Sequence, residues 1–322
     1  MSGDRIRGAF IGLAVGDAAG WPAARHRSAL HAPWSRRLHR ELDLFAEEHR
    51  ITTLPVPFAL NQPTAPLALG PSDDAEWLAW TVLTLRRPRA EAFRELAGRD
   101  DVRARISVAS ALDNLAKGVE PPASGHDNPH FFDDAAAIRA VAFGAAGLDP
   151  AEDARVTNAG DGVLGAQAVA AAIEAAVGGA PVAEAVEAAL AVLPEDTAIG
   201  YNARLAVQAG RKAGEAFGAV PALDAALLDH VYSYAVGAAQ TVPIALALAE
   251  ASGGAVGPAV SAAACLAATA DSAPALAGAI TGACGGYGAI PEGWIAPVRT
   301  LAGCCLPELA GRDLLELTEG LT

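Results

Sequence analysis

The chain is predicted to be an all-α, compact single-domain helical bundle. Apolar residues recur at helical spacing along most of its 322 residues. Strand signals are sparse, and alanine, the best helix former, dominates together with glycine.

The first helix is expected over 4–19. Gly8, Gly12 and Gly16 fall four residues apart and give it one smooth face for close packing. The glycine-rich stretch Gly8 to Gly20 is not a phosphate loop, because no Lys-Ser/Thr follows it and no strand precedes it. Asp17, near this helix's end, is expected to meet backbone or polar partners. Between 22 and 71, Pro22, Pro33, Pro55, Pro57, Pro63, Pro66 and Pro71 interrupt regular structure. That stretch reads as a long covering loop with a short helix near 36–49. Helical periodicity then predicts 73–86, 88–97, 103–116, 134–144, 163–177, 182–192, 198–217, 222–250, 256–268, 273–286 and 294–302. Pro121 to Gly125 and Gly178 to Pro181 read as connections. The small-residue runs Ala168 to Ala176, Ala183 to Ala191 and Ala273 to Ala283 let helices approach closely. With no clean linker and no short-period repeat, a single domain over 1–322 is expected.

Charged residues make up 19% of the chain, apolar residues 52%, and the net charge is −14. That balance argues against a nucleic-acid backbone as partner, since phosphate binding wants a basic face. It leaves room for a metal that bridges to a phosphate. Cys265, Cys284, Cys304 and Cys305 form no CxxC, so zinc is not expected and the thiols read as free. Cys304 and Cys305 are expected on different faces of a helix. No secretory pattern opens the chain, and a cytoplasmic location is expected. Asp271 and Pro274 break the most apolar segments, so no membrane span is expected.

The chemistry concentrates at helix starts. Ser72-Asp73-Asp74 sets a hydroxyl beside two carboxylates, and Thr269-Ala270-Asp271-Ser272 repeats the pattern far downstream. As plain helix ends they are ordinary, since Ser72 and Ser272 suit N-caps, acids favour the dipole's positive end, and Pro274 suits a first turn. An aspartate inside the apolar stretch Ala262 to Ala283 nevertheless needs a partner if buried. All-oxygen clusters of this kind suit Mg²⁺ or Mn²⁺. Candidate metal ligands are therefore Ser72, Asp73, Asp74, Asp271 and Ser272, with Asp73 or Asp74 orienting a water. Asp133-Asp134 and the pair Asn158 and Asp161 precede two further helices. Upstream, Ser124 to Phe132 is dense in polar and aromatic groups and reads as a loop over a site. Asp133, Asp134, Asn158, Asp161 and His126 are candidate substrate contacts. Phe131, Phe132 or Tyr287 offer rings to a base. His26, His31, His39, His49 and His230 read as solvated or structural.

Taken in series, these segments resemble the ADP-ribosylglycohydrolase family, the group that includes the enzyme reversing ADP-ribosylation of dinitrogenase reductase. Gly8 to Pro22 resembles its opening helix, Ser72-Asp73-Asp74 its Thr/Ser-Asp-Asp motif, and Asp133 to Arg139 its central segment. Asp271-Ser272 with Ala277-Gly278 is similar to its late Asp-x-Asp-Thr/Ser motif, and Gly288 to Trp294 to its closing segment. The resemblance implies an all-α fold with one or two Mg²⁺ or Mn²⁺ ions at the bundle mouth. It also implies hydrolysis of the glycosidic bond at the ribose of ADP-ribosylated targets, with ADP-ribose or an ADP-ribosylated substrate as partner. Thr269 stands where the family's late motif begins with Asp, and Ala24 where an acidic residue often follows the opening segment. Both remove negative charge. A ligand-binding relative without turnover, and a purely structural scaffold, are the competing expectations.

Overall fold

A computed structural model describes residues 2–20, 47–48, 70–228 and 236–321. Ala24, the five scattered histidines and nearly all of the proline-rich segment with its expected short helix lie outside the described residues. Among those residues there are sixteen α-helices and no strand. They are α1 (Ser2–Gly20), α2 (Asp73–Thr84), α3 (Arg89–Arg94), α4 (Ile106–Ala116), α5 (Ala123–His126), α6 (Ala135–Ala146), α7 (Ala151–Thr157) and α8 (Asp161–Gly178). There follow α9 (Val182–Ala191), α10 (Ala198–Ala213), α11 (Ala216–Leu227), α12 (Ala238–Ala251), α13 (Val256–Cys265), α14 (Ala273–Gly285), α15 (Glu292–Val298) and α16 (Leu314–Thr318).

The organising contact joins the two ends of the sequence. α1 and α14 run antiparallel with their backbones touching. A Cβ on Gly8 would fall 2.1 Å from the Gly282 carbonyl oxygen, one on Gly12 2.1 Å from that of Gly278, and one on Gly16 2.0 Å from that of Pro274. Any side chain there would hold the helices apart, so the four-residue glycine spacing is a packing device. The contact fixes the C-terminal end of α1 beside the N-terminal end of α14. At the opposite end, Arg5 donates to the Ala176 carbonyl in the last turn of α8 at 2.7 Å, beside the Gly179 amide that the same oxygen accepts.

Around this pair, α6 lies on α8, α10 on α12, and α13 on α14. α8 has the length and apolarity of a membrane span, but half of it is buried against neighbours including α6, α9 and α14. A buried ionic knot ties α3, α6 and α7. Asp153 accepts from Arg89 Nε at 2.9 Å and from Arg139 Nε at 2.8 Å, and Arg139 Nη2 reaches the Thr157 hydroxyl at 2.7 Å.

Three expectations need correction. The 198–217 helix stops at Ala213 because Gly214 adopts a left-handed φ of 73°, and α11 is a separate element. The 222–250 helix is instead α11 and α12, which residue 228 already separates with an extended backbone. The last predicted helix ends at Val298, so Cys304 and Cys305 lie in a loop. Glu76 anchors that loop, its carboxylate accepting the amides of Cys304, Cys305 and Leu306 at 2.8, 2.7 and 3.0 Å.

Candidate functional site

Because α1 and α14 touch, Asp17 arrives at the start of α2. The Asp17 carboxylate is buried and accepts from the Ser72 amide at 2.6 Å, the Ser72 hydroxyl at 2.5 Å and the Ala75 amide at 3.1 Å. The first turn of a helix leaves amides without intrahelical partners, and here a neighbouring helix meets them. Ser72 occupies the N-cap position, but its side chain makes no capping bond. Its hydroxyl is committed to Asp17 instead. Ser272 likewise sits at the start of α14 without a side-chain capping bond, and Pro274 falls in the first turn as expected.

Asp73 and Asp74 project from the start of α2, Asp134 from the start of α6, and Asp271 from just ahead of α14. These four aspartates surround one side chain that the sequence reading did not select. Arg105 immediately precedes α4 and is nearly buried. Its Nη2 lies 2.6 Å from Asp74 Oδ1 and 3.8 Å from Asp271 Oδ2, and its Nε lies 3.6 Å from Asp73 Oδ2. Nη1 donates to Asp134 Oδ1. Burial opposes charge on the guanidinium, yet the carboxylates, Asp134 foremost, hold it well above the ordinary arginine value. Burial pushes the Asp74 carboxyl well up against the pull of Arg105. It pushes Asp134 up to about 7, again opposed by Arg105. Asp73 has the most open of these side chains, 20% exposed against 3% for Asp74 and none for Asp134.

A local signal for Arg105 did exist. Helix starts favour Ser, Thr, Asp or Asn and disfavour cations, because the dipole there is positive. Arginine at that position is a local conflict, and such conflicts mark functional places.

The divalent ion expected here takes oxygen ligands, of which Asp73, Asp74 and Asp271 would be the carboxylate source. Mg²⁺ takes oxygens at about 2.0–2.1 Å, so its ligand atoms lie within roughly 4.2 Å of one another. Among the described residues no three carboxylates of the cluster bring oxygens even within 4.8 Å of each other, because they are splayed around Arg105. Of the residues expected to hold a metal, Asp73, Asp74 and Asp271 meet around Arg105. Thr269 is buried and turns its hydroxyl to the Leu266 carbonyl at 3.3 Å. Among the described residues, one other set of atoms comes close enough for a metal, namely Glu76, Cys304 and Cys305. There the carboxylate is already engaged with three amides.

Three buried polar atoms of the cluster, Asp74 Oδ2, Asp134 Oδ2 and Ser272 Oγ, have no hydrogen-bond partner among the described residues. Such groups carry a cost of about 1–3 kcal/mol each unless something meets them.

The remaining candidates divide. Asp133 and Asn158 are buried and spent on structure. The Asn158 amide donates to Asp133 Oδ1 at 2.9 Å and to the carbonyls of Asp133 and Phe131 at 3.1 and 3.2 Å. Asp161 opens α8, its Oδ1 accepts from the Ile199 amide at 3.4 Å, and burial raises its carboxyl. His126 lines a cavity of about 630 Å³ together with Arg155, Asn158, Gly160 and Gln167. Its ring stacks on Phe131 at 6.2 Å between centroids, and Phe131 meets Phe132 edge-on at 5.5 Å. Phe131 is 39% exposed and keeps part of its ring in solvent. Tyr287 is not near the carboxylates. It follows Gly286 at the far end of α14, a full helix of about 18 Å from Asp271.

A family model described as ADP-ribosylglycohydrolase matches residues 2–321. Among solved structures, one described as an ADP-ribosylglycohydrolase-related protein complex superposes with a TM-score of 0.59 at 20% identity, covering 99% of this chain and 97% of the other. At that identity the likeness concerns the fold. No curated protein matches.

Proposed function

The chain belongs to the ADP-ribosylglycohydrolase family, and we propose that it binds an ADP-ribosyl or related nucleoside conjugate at the aspartate–arginine cluster and hydrolyses the glycosidic bond there. The observation that carries this reading is the set of three unsatisfied buried atoms, Asp74 Oδ2, Asp134 Oδ2 and Ser272 Oγ, among carboxylates drawn from three helix starts. Carboxylates only accept, and ribose hydroxyls donate, so a sugar diol supplies what the site lacks. The carboxylates that converge on the site also set a negative field there. That field favours the positive, oxocarbenium-like centre of glycoside cleavage.

In this mechanism Asp73, the carboxylate most open to water, takes a proton from a water molecule. The water oxygen bonds to the anomeric carbon, the bond to the linked group breaks, and the departing atom takes a proton from solvent. Asp74, Asp134 and Arg105 hold the ribose side of the site in place. The exposed ring of Phe131 offers a face to the base.

A second reading, ligand binding without turnover, is favoured by the pairing of Asp74 and Asp134 to Arg105, which engages carboxylates that chemistry would otherwise use. Chromatography of ADP-ribosylated arginine and serine peptides after incubation separates the two. Release of ADP-ribose by the wild type and not by Asp73→Asn, with melting temperature unchanged, supports hydrolysis. Calorimetric binding of ADP-ribose without release supports the second reading, and no binding at all removes both.

A further inference from the structure

The segment between α15 and α16 brings two adjacent thiols to one carboxylate. Neighbouring residues of a regular helix or strand point their side chains apart. Here they converge. The sulfurs of Cys304 and Cys305 and a carboxylate oxygen of Glu76 all lie within 4.8 Å of one another. The two thiols share a hydrogen bond, and that contact together with burial holds the Cys305 proton well above the ordinary thiol value.

Backbone contacts fix this arrangement. Gly303 turns the chain with a left-handed φ of 72°. Glu76, buried in the first turn of α2, accepts the Cys304 amide on Oε1 and the amides of Cys305 and Leu306 on Oε2. The Cys305 carbonyl in turn accepts the Arg103 amide at 2.9 Å. A carboxylate oxygen has two lone pairs, so Oε1, with one amide on it, keeps the other. Outer donors of this kind orient a metal ligand. The span of 4.8 Å is close to twice a zinc–ligand bond of about 2.0–2.3 Å. Two sulfurs and one oxygen suit that borderline-soft ion, whereas Mg²⁺ prefers oxygen alone. Cys304 is half-buried and leaves the site a side open to solvent. Spacing in the sequence hides the set, because Glu76 and Cys304 stand 228 residues apart.

We propose that Cys304, Cys305 and Glu76 form a site for one Zn²⁺ ion, with water as the fourth ligand, and that the ion clamps this segment to the first turn of α2. Both thiols give their protons to solvent as the ion binds, so binding tightens as pH rises. Glu76 follows Asp73 by three residues, and the clamp therefore steadies the helix start that carries Asp73. The metal site itself does not rest on the function proposed above.

The full chain, reduced and freed of metal by a chelator, is titrated with Cd²⁺, whose bonds to thiolates absorb in the ultraviolet, and then with Zn²⁺. One equivalent of Cd²⁺ should raise a band of two-thiolate intensity, and Zn²⁺ should remove it. Zn²⁺ should also raise the melting temperature, since a ligand that binds only the folded state stabilises it, and Mg²⁺ should do neither. Cys304→Ser should halve the band and weaken binding at least about tenfold, because even changes outside the ligand shell cost about 10–100-fold. Cys265→Ser and Cys284→Ser should leave band and affinity unchanged. A wild type without a stoichiometric Cd²⁺ band overturns the proposal, and that titration needs no variant. A band that survives the combined Cys304→Ser and Cys305→Ser substitutions overturns it too, because other thiols would then carry it. No ADP-ribosyl compound is present, so loss of the glycosidic reading leaves this result standing, and failure here leaves that reading untouched.

Discussion

Replacing Gly12 by alanine tests whether the α1–α14 contact holds the fold and the site together. The added Cβ would sit 2.1 Å from the Gly278 carbonyl oxygen and 2.8 Å from its carbon, and the reciprocal Cβ on Gly278 would meet the Gly12 oxygen at 2.0 Å. Real Cβ contacts begin near 3.0 Å, so relief requires a separation of about 1 Å between two backbones, neither of which is a movable side chain. A gap of that size forfeits a quarter to a half of each dispersion contact along the seam. Overpacking costs about 1–3 kcal/mol where side chains can yield. With only backbone in the way, about 3 kcal/mol is the working figure. Alanine's helix propensity returns about 1 kcal/mol, leaving a net loss of about 2 kcal/mol. For a chain of this size that corresponds to about 4 °C in melting temperature, read by scanning calorimetry. Gly178→Ala is the control, because Gly178 has open space around it and ends α8. If Gly12→Ala melts at or above Gly178→Ala, the helices are not in backbone contact and the positioning argument for Asp17 fails with it.

Other perturbations separate the remaining parts of the structure. Asp153→Ala strands two buried guanidinium groups, Arg89 and Arg139, and should cost about 3–5 kcal/mol in denaturant unfolding. Retention of wild-type stability would mean that the knot is not formed. Glu76→Gln turns an amide donor toward backbone amides and should cost about 2–4 kcal/mol. It should also let a thiol reagent reach Cys305, which is buried in the wild type. Thiol titration at pH 8 should modify exposed Cys265 first and Cys284 late, because burial lifts the Cys284 thiol from its ordinary 9.0 to about 11. The same shift gives a sign for stability. The unfolded thiol ionises first, so the contribution of Cys284 is present below pH 9 and is lost as pH rises toward 11. Cys284→Ser should flatten that part of the pH profile.

Much of the fold was legible because its signals are local. Gly8, Gly12 and Gly16 announced a close helix contact by spacing alone, although the partner that receives them lies about 270 residues away. Asp73, Asp74 and Asp271 stood out because carboxylates at helix starts in apolar surroundings need partners. The family resemblance set them in order, and the family model covers residues 2–321. Arg105 was missed because its local mark, a cation at a helix start, says nothing of what the side chain reaches. It belongs to no motif, and the pairing appears only when α2, α4, α6 and the approach to α14 meet. The same blindness hid the three-residue charge network of Arg89, Arg139 and Asp153.

The seam between α1 and α14 has a further consequence for how the chain is made. Synthesis proceeds at about 5–20 residues per second, so α1 waits on the order of tens of seconds for its partner to be translated. During that interval its glycine face is an apolar surface without a mate. Contacts of such sequence separation form late and slowly. The aspartate–arginine cluster therefore assembles only after nearly the whole polypeptide has emerged. A shortened chain ending before Ala273 is expected to present a sticky first helix to chaperones rather than a partly working site.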